Sequence, residues 1–194
     1  MSAIARAPEW ISPEDYLQGE RSSEVRHEYF YGATYAMAGG SDDHNRIARN
    51  IVSYLDDALA DSPCEPFGSD MKVRIPPSYG DIFYYPDAMV VCDPTDNARF
   101  HRERPTFIFE VLSPDTERRD RGEKATAYRQ IATIEAYILI EQTRMAATIL
   151  HQAQDGWRTE LIEGTTAVLH LPKLNVDIPF KRVYRKTTLV TSAG

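Results

Sequence analysis

The run "PTFIFEVL", residues 105–112, is apolar on both faces of an extended chain. Such a strand has to be covered above and below, which places it inside a sheet with other elements packed on each side. A second run, "DIFYYPDAMVV" (81–91), has the same character, and "IEAYILIE" (134–141) reads as a further buried strand. Helical patterns stand between them. "SDDHNRIARNIVSYLDDALAD" carries Ile47, Ile51, Val52, Leu55 and Leu59 on one stripe, with Ser41 as N-cap, Asp42 and Asp43 at its positive end, and Pro63 as its stop. "DTERRDRGEKATAYRQIA" follows the 105–112 strand, capped by Asp115 or Thr116. Strands and helices in this order predict a mixed sheet with helices packed on it, an α/β or α+β fold.

Shorter signals fill the rest. "ISPEDYL" reads as a short helix begun by Ser12 and Pro13. "EVRHEYFYGATYAMAG" alternates around Gly32 as a β-hairpin does. Further strands fit "DMKVRI" (70–75), "MAATILHQ" and "WRTELIE", the last two joined by a turn at Asp155 and Gly156. With 194 residues and no repeat or break in composition, one domain is expected, its core over residues 12–180 and its ends frayed.

Charge and cysteine content narrow the function. A net charge of −7 argues against non-specific gripping of long DNA, which phosphate neutralisation by basic residues usually drives. Two basic clusters run against that balance, "RFHRER" (99–104) and "RRDRGEK" (118–124), and each suits a solvated face. No run nears the ~20 apolar residues a membrane span needs, and the first residues lack the apolar centre of an export signal, so a cytoplasmic protein is expected. Cys64 and Cys92 read as reduced, packed thiols.

Three carboxylates interrupt strands that are otherwise apolar: Glu28 in the hairpin, Asp87 after Pro86, and Glu110 within "FIFEVL". Burying a carboxylate without compensation costs several kcal/mol, on the order of the whole net stability of a domain. Any one of them alone reads as a satisfied structural acid. Three together call for a cation, and oxygen ligands suit Mg²⁺ or Mn²⁺. Lys124 shares a helix face with Asp120 and Tyr128, either as a surface ion pair with Asp120 or folded back toward Glu110. Lys72 is the alternative lysine. No nucleophile-elbow pattern supports a Ser-His-Asp hydrolase.

"YYPDAMVVCDP", "PTFIFEVLSPDTERRDRGEKATAYRQI" and "EAYILIE" closely resemble the Uma-two family of restriction-type endonucleases, within the PD-(D/E)XK nuclease superfamily. "HEYFYGATYAMAGGSDDHNRIARNI" is similar to that family's hairpin, small loop and helix, so the resemblance covers residues 12–180. It implies a restriction-endonuclease-like mixed sheet flanked by helices and a metal-dependent endonuclease acting on DNA. Asp87 and Glu110 would be metal ligands, Glu28 an accessory acid and Lys124 the catalytic lysine. The superfamily's usual lysine position, two residues after the glutamate, is Leu112 here. His44 falls where the family has a Ser/His pair at the pocket mouth, though it also suits a helix start. Ser113 fits a helix entry better than a pocket hydroxyl. Arg118, Arg119 and Arg121 would contact flanking phosphates. A homodimer is expected, because one site per chain cuts one strand. The alternative is a catalytically inactive binding or assembly module on the same fold, favoured by the acidity and by Leu112.

Overall fold

The computed structural model describes residues 10–75 and 80–191. Helix α1 (Pro13–Glu20) begins at Ser12, whose Oγ accepts from the Asp15 N–H. Strands β1 (His27–Phe30) and β2 (Ala33–Ala36) form the expected hairpin. Its two turn residues, Tyr31 and Gly32, have φ of 48° and 90°, the positive values a tight hairpin turn requires. Helix α2 (Asp42–Ala58) is capped by Ser41, which accepts from the His44 N–H.

Next come β3 (Glu65–Gly68), β4 (Lys72–Ile75), β5 (Ile82–Tyr84), β6 (Ala88–Val91), β7 (His101–Arg102) and β8 (Pro105–Leu112). One continuous helical stretch follows: α3 (Glu117–Arg119), a π-helical turn over Asp120–Lys124, and α4 (Ala125–Tyr128). Strand β9 (Ala136–Glu141) precedes the β10 (Ala146–Ala153) and β11 (Gly156–Glu163) hairpin, which turns at Asp155 and Gly156 as anticipated. A second hairpin, β12 (Val168–Leu171) and β13 (Val176–Pro179), and helices α5 (Phe180–Val183) and α6 (Thr188–Thr191) complete the chain. Residues 188–191, within the end for which fraying is expected, form the last of these helices. The ends 1–9 and 192–194, for which flexibility was also expected, lie outside the described residues.

The strands form two large sheets instead of one. The six-stranded sheet runs β11-β10-β9-β8-β6-β3 and is antiparallel except for β8 and β9. The five-stranded sheet runs β2-β1-β5-β4-β7. Residues 81–91, read as one strand, are divided between them. Pro86 has no N–H to give a ladder, so the chain leaves one sheet after Tyr84 and enters the other at Ala88. Asp87 sits at that crossing.

Alternation along β8 sets the core. Phe107, Phe109 and Val111 face α2 through Ile47, Ile51 and Leu55. Ile108 and Leu112 face Ala125, Tyr128, Tyr84 and Val73 on the other side. Every residue of β8 is buried, as its apolar character required. Glu110 belongs by alternation to the second face, under the helical stretch.

The reading of Cys64 and Cys92 as reduced thiols is overturned, because the two sulfurs are bonded to each other. Strands β3 and β6 pair Glu65 with Val91, which sets the flanking cysteines opposite one another at the sheet edge. A separation of 28 residues carries no trace of that register.

Candidate active site

Glu110 is 3 % exposed in the middle of an apolar strand. Its Oε1 accepts from Lys124 Nζ at 2.8 Å and from the Tyr128 hydroxyl at 3.2 Å. Lys124 is itself buried, and its ammonium lies 3.1 Å from Glu28 Oε1 and 3.3 Å from Asp120 Oδ1. Neither of those two oxygens has a partner of hydrogen-bond geometry. Three buried carboxylates therefore surround one lysine. Arg119 Nη1 takes up the other oxygen of Glu28, and its Nε donates to Glu123 Oε1 at 3.0 Å.

The helical stretch explains how Lys124 arrives. Ser113 begins it as a helix-entry residue, with its Oγ accepting from the Thr116 N–H. The wider π turn carries both Asp120 and Lys124 inward, and turns of this kind recur at functional sites. Tyr137 donates to the Asp120 carbonyl and holds the turn against β9. The Asp120–Lys124 pair is thus buried, and its surface alternative is excluded.

Asp87 reaches the same region from the neighbouring strand. The pairing of Ala88 with Phe109 brings Asp87 alongside Glu110, and Asp87 Oδ2 accepts from the Val111 N–H at 2.7 Å. His44, from the first turn of α2, places Nε2 at 3.3 Å from the same oxygen. Asp87, Glu110, Asp120, Lys124, His44 and Ser113 all line one cleft of about 300 Å³, and the 37–41 loop forms part of its wall.

Electrostatics follow from this crowding. Burial pushes the Glu110 carboxyl well above the usual carboxylate range, and Asp120 and Asp87 add to that against the pull of Lys124. Burial works to lower the Lys124 ammonium, but Glu110, Glu28 and Asp120 outweigh it and hold it well above an ordinary lysine. For His44, burial opposes protonation, and Asp87 overcomes it to raise the imidazole above its usual value. The group as a whole has more carboxylates than permanent cations.

Other candidates lie elsewhere or are already engaged. Lys72 is turned away toward Tyr85, whose hydroxyl accepts from its Nζ at 3.0 Å and donates to Glu20 at 2.8 Å, so it is not the lysine at Glu110. Arg121 is held by Glu117 and Glu141, at 2.8 and 2.7 Å. Among the three arginines only Arg118 is exposed with no ion pair among the described residues. Asp120 was missed as a member of the cluster, although its four-residue spacing to Lys124 was visible. Tyr128 shared that face too, but nothing in the sequence told its hydroxyl apart from core packing.

A family model described as "Putative restriction endonuclease", Uma2, matches residues 13–179. The chain belongs to the Uma2 family. Two Synechocystis relatives, both named as uncharacterized proteins, are each 33% identical to this Uma2 chain. The first aligns over 176 residues, 90% of this chain and 92% of the relative. The second aligns over 135 residues, 68% and 75%. A crystal structure from Anabaena variabilis, described as "a putative nuclease belonging to DUF820", superposes with a TM-score of 0.70 at 17% identity. It covers 90% of this chain and 97% of that one. The Uma2 fold seen here is therefore shared with that protein. No helix among the described residues is long and apolar enough to cross a membrane.

Proposed function

We propose that this Uma2 protein is a metal-dependent endonuclease that hydrolyses phosphodiester bonds in DNA. The observation that carries the reading is the convergence of Asp87 and Glu110 on one open cleft, with Lys124 Nζ 2.8 Å from Glu110. Among the described residues no three His, Cys, Asp or Glu side chains stand together as a metal cage. Mg²⁺ and Mn²⁺ do not need one, since Mg²⁺ commonly binds through one or two carboxylates and keeps its waters. The donor set fits: all-oxygen ligands, excess negative charge, and a Glu110 carboxyl pushed up in part by Asp87 and Asp120.

Asp87 and Glu110 would hold the ion, with the Val111 N–H fixing the Asp87 carboxylate. Bound there, Mg²⁺ or Mn²⁺ supplies Lewis acidity toward a phosphoryl oxygen and toward water. Lys124 holds its proton and presents positive charge where phosphoryl oxygens gain negative charge. Glu28 and Asp120 position that ammonium from two further sides. His44 orients Asp87 within the cleft. Arg118, exposed and without an ion pair among the described residues, would meet a flanking phosphate. A homodimer, with one site per strand, completes the proposal.

Incubation of supercoiled plasmid with Mg²⁺ or Mn²⁺ tests the reading. Cleavage is expected from the parent chain and a fall of about 10²-fold or more in Asp87→Ala and in Glu110→Ala. Cutting that persists in both variants sinks the assignment. The binding-module alternative draws on the net charge of −7 and on the internal pairing of Arg119 and Arg121. It gains if the folded parent chain binds DNA yet never cuts it with either metal.

A further inference from the structure

Strand β2 places Tyr35 directly opposite Glu28 in the antiparallel ladder. Directly opposed residues share a face, so Tyr35 stands on the side of the sheet that carries the buried acid. Phe30, two residues beyond Glu28, is on that face as well. Glu28 is covered, yet Tyr35 remains 50 % exposed. Between them and the helical stretch lies a recess of about 300 Å³ lined by Phe30, Tyr35, Arg119 and Glu123.

Arg119 defines the chemistry of this recess. Its guanidinium carbon lies 5.7 Å from the centre of the Tyr35 ring and 5.3 Å from that of Tyr84. The charge is already matched on both sides, by Glu28 and by Glu123. A phosphate entering here would find no surplus positive charge. A neutral, flat ring would find one exposed aromatic face, a guanidinium, and a carboxylate edge. Glu123 Oε1 accepts from Tyr84 and Arg119, while Oε2 makes no hydrogen bond among the described residues and can accept from an exocyclic amino group.

We propose that this recess is a stacking site for one unpaired nucleobase bearing an exocyclic amino group. The inference rests on the reading of the ligand as a nucleic acid. It adds that the strand is gripped through a base on Tyr35, beside the cleft that holds Asp87 and Glu110. The 37–41 loop runs from the end of β2 into the wall of that cleft, so one strand can engage both places. Aromatic stacking of this kind tolerates any base, because every base has a π-face.

The test uses a dye-labelled single-stranded oligonucleotide with 2-aminopurine at every third position, in buffer without divalent metal. Anisotropy reports total binding, and 2-aminopurine fluorescence reports stacking. The parent chain is expected to bind and to quench. Tyr35→Phe should keep both signals. Tyr35→Ala should lose the quench and bind about 5- to 100-fold more weakly, with an unchanged circular dichroism spectrum. Binding by the parent chain without quenching, or equal affinity in Tyr35→Ala, overturns the stacking site and leaves the nuclease reading standing. No binding at all by the folded parent chain also overturns the stacking site, while the nuclease reading stands or falls separately on plasmid cleavage with metal.

Discussion

Glu110 is a carboxyl buried in the middle of an apolar strand. Its folded carboxyl is pushed well above the ordinary value of 4.5, so the folded state keeps a proton that the unfolded state has already released. Stability from this group is therefore greatest at low pH and declines as pH rises above about 4.5. Glu110→Gln in metal-free buffer removes that decline. Its urea midpoint should gain on the parent chain steadily from pH 5 to pH 8, while cleavage is lost. A variant that loses stability at both pH values would mark Glu110 as a structural acid. Lys124→Met has the opposite expectation. It leaves Glu28, Glu110 and Asp120 buried around no ammonium, and breaking such a pair costs about 3–5 kcal/mol. Thermal unfolding would show it as a large drop in Tm.

Elements differ in how plainly the sequence announced them. Strand β8 was legible to the residue, because apolar character on both faces leaves no other use for eight residues. Helix α2 was legible through its stripe and its Ser41 cap. The helical stretch after β8 was legible as helix, but not its π turn, since that widening depends on how Asp120 and Lys124 pack under β1 and β8. Register between strands distant in sequence was illegible, and so was the bond between Cys64 and Cys92. That bond fixes the edge strand β3 to β6, the strand whose entry carries Asp87. Cys64→Ser should cost about 2–4 kcal/mol in guanidinium unfolding, and added thiol reductant should bring the parent chain to the same midpoint. A parent chain indifferent to reductant would show that the edge holds without it.

At the scale of the molecule, two sheets meet where Pro86 ends one strand and Asp87 opens the next, and the candidate site occupies that junction. The sequence indicated Glu28, Asp87 and Glu110 as conspicuous acids in apolar strands, and set Lys124 beside them with Lys72 as an open alternative; the structure brings Lys124 to Glu110. The sequence did not indicate that Asp120 joins them or that Arg119 and Arg121 are taken up in ion pairs, because ion pairing depends on tertiary approach. The central claim is that Asp87 and Glu110 share one divalent ion beside Lys124. An anomalous difference map from crystals soaked in Mn²⁺ tests it most directly. The account predicts one strong peak within about 2.0–2.4 Å of an oxygen from each carboxylate. A map with no peak in the cleft, or with its peak on other residues, would contradict it.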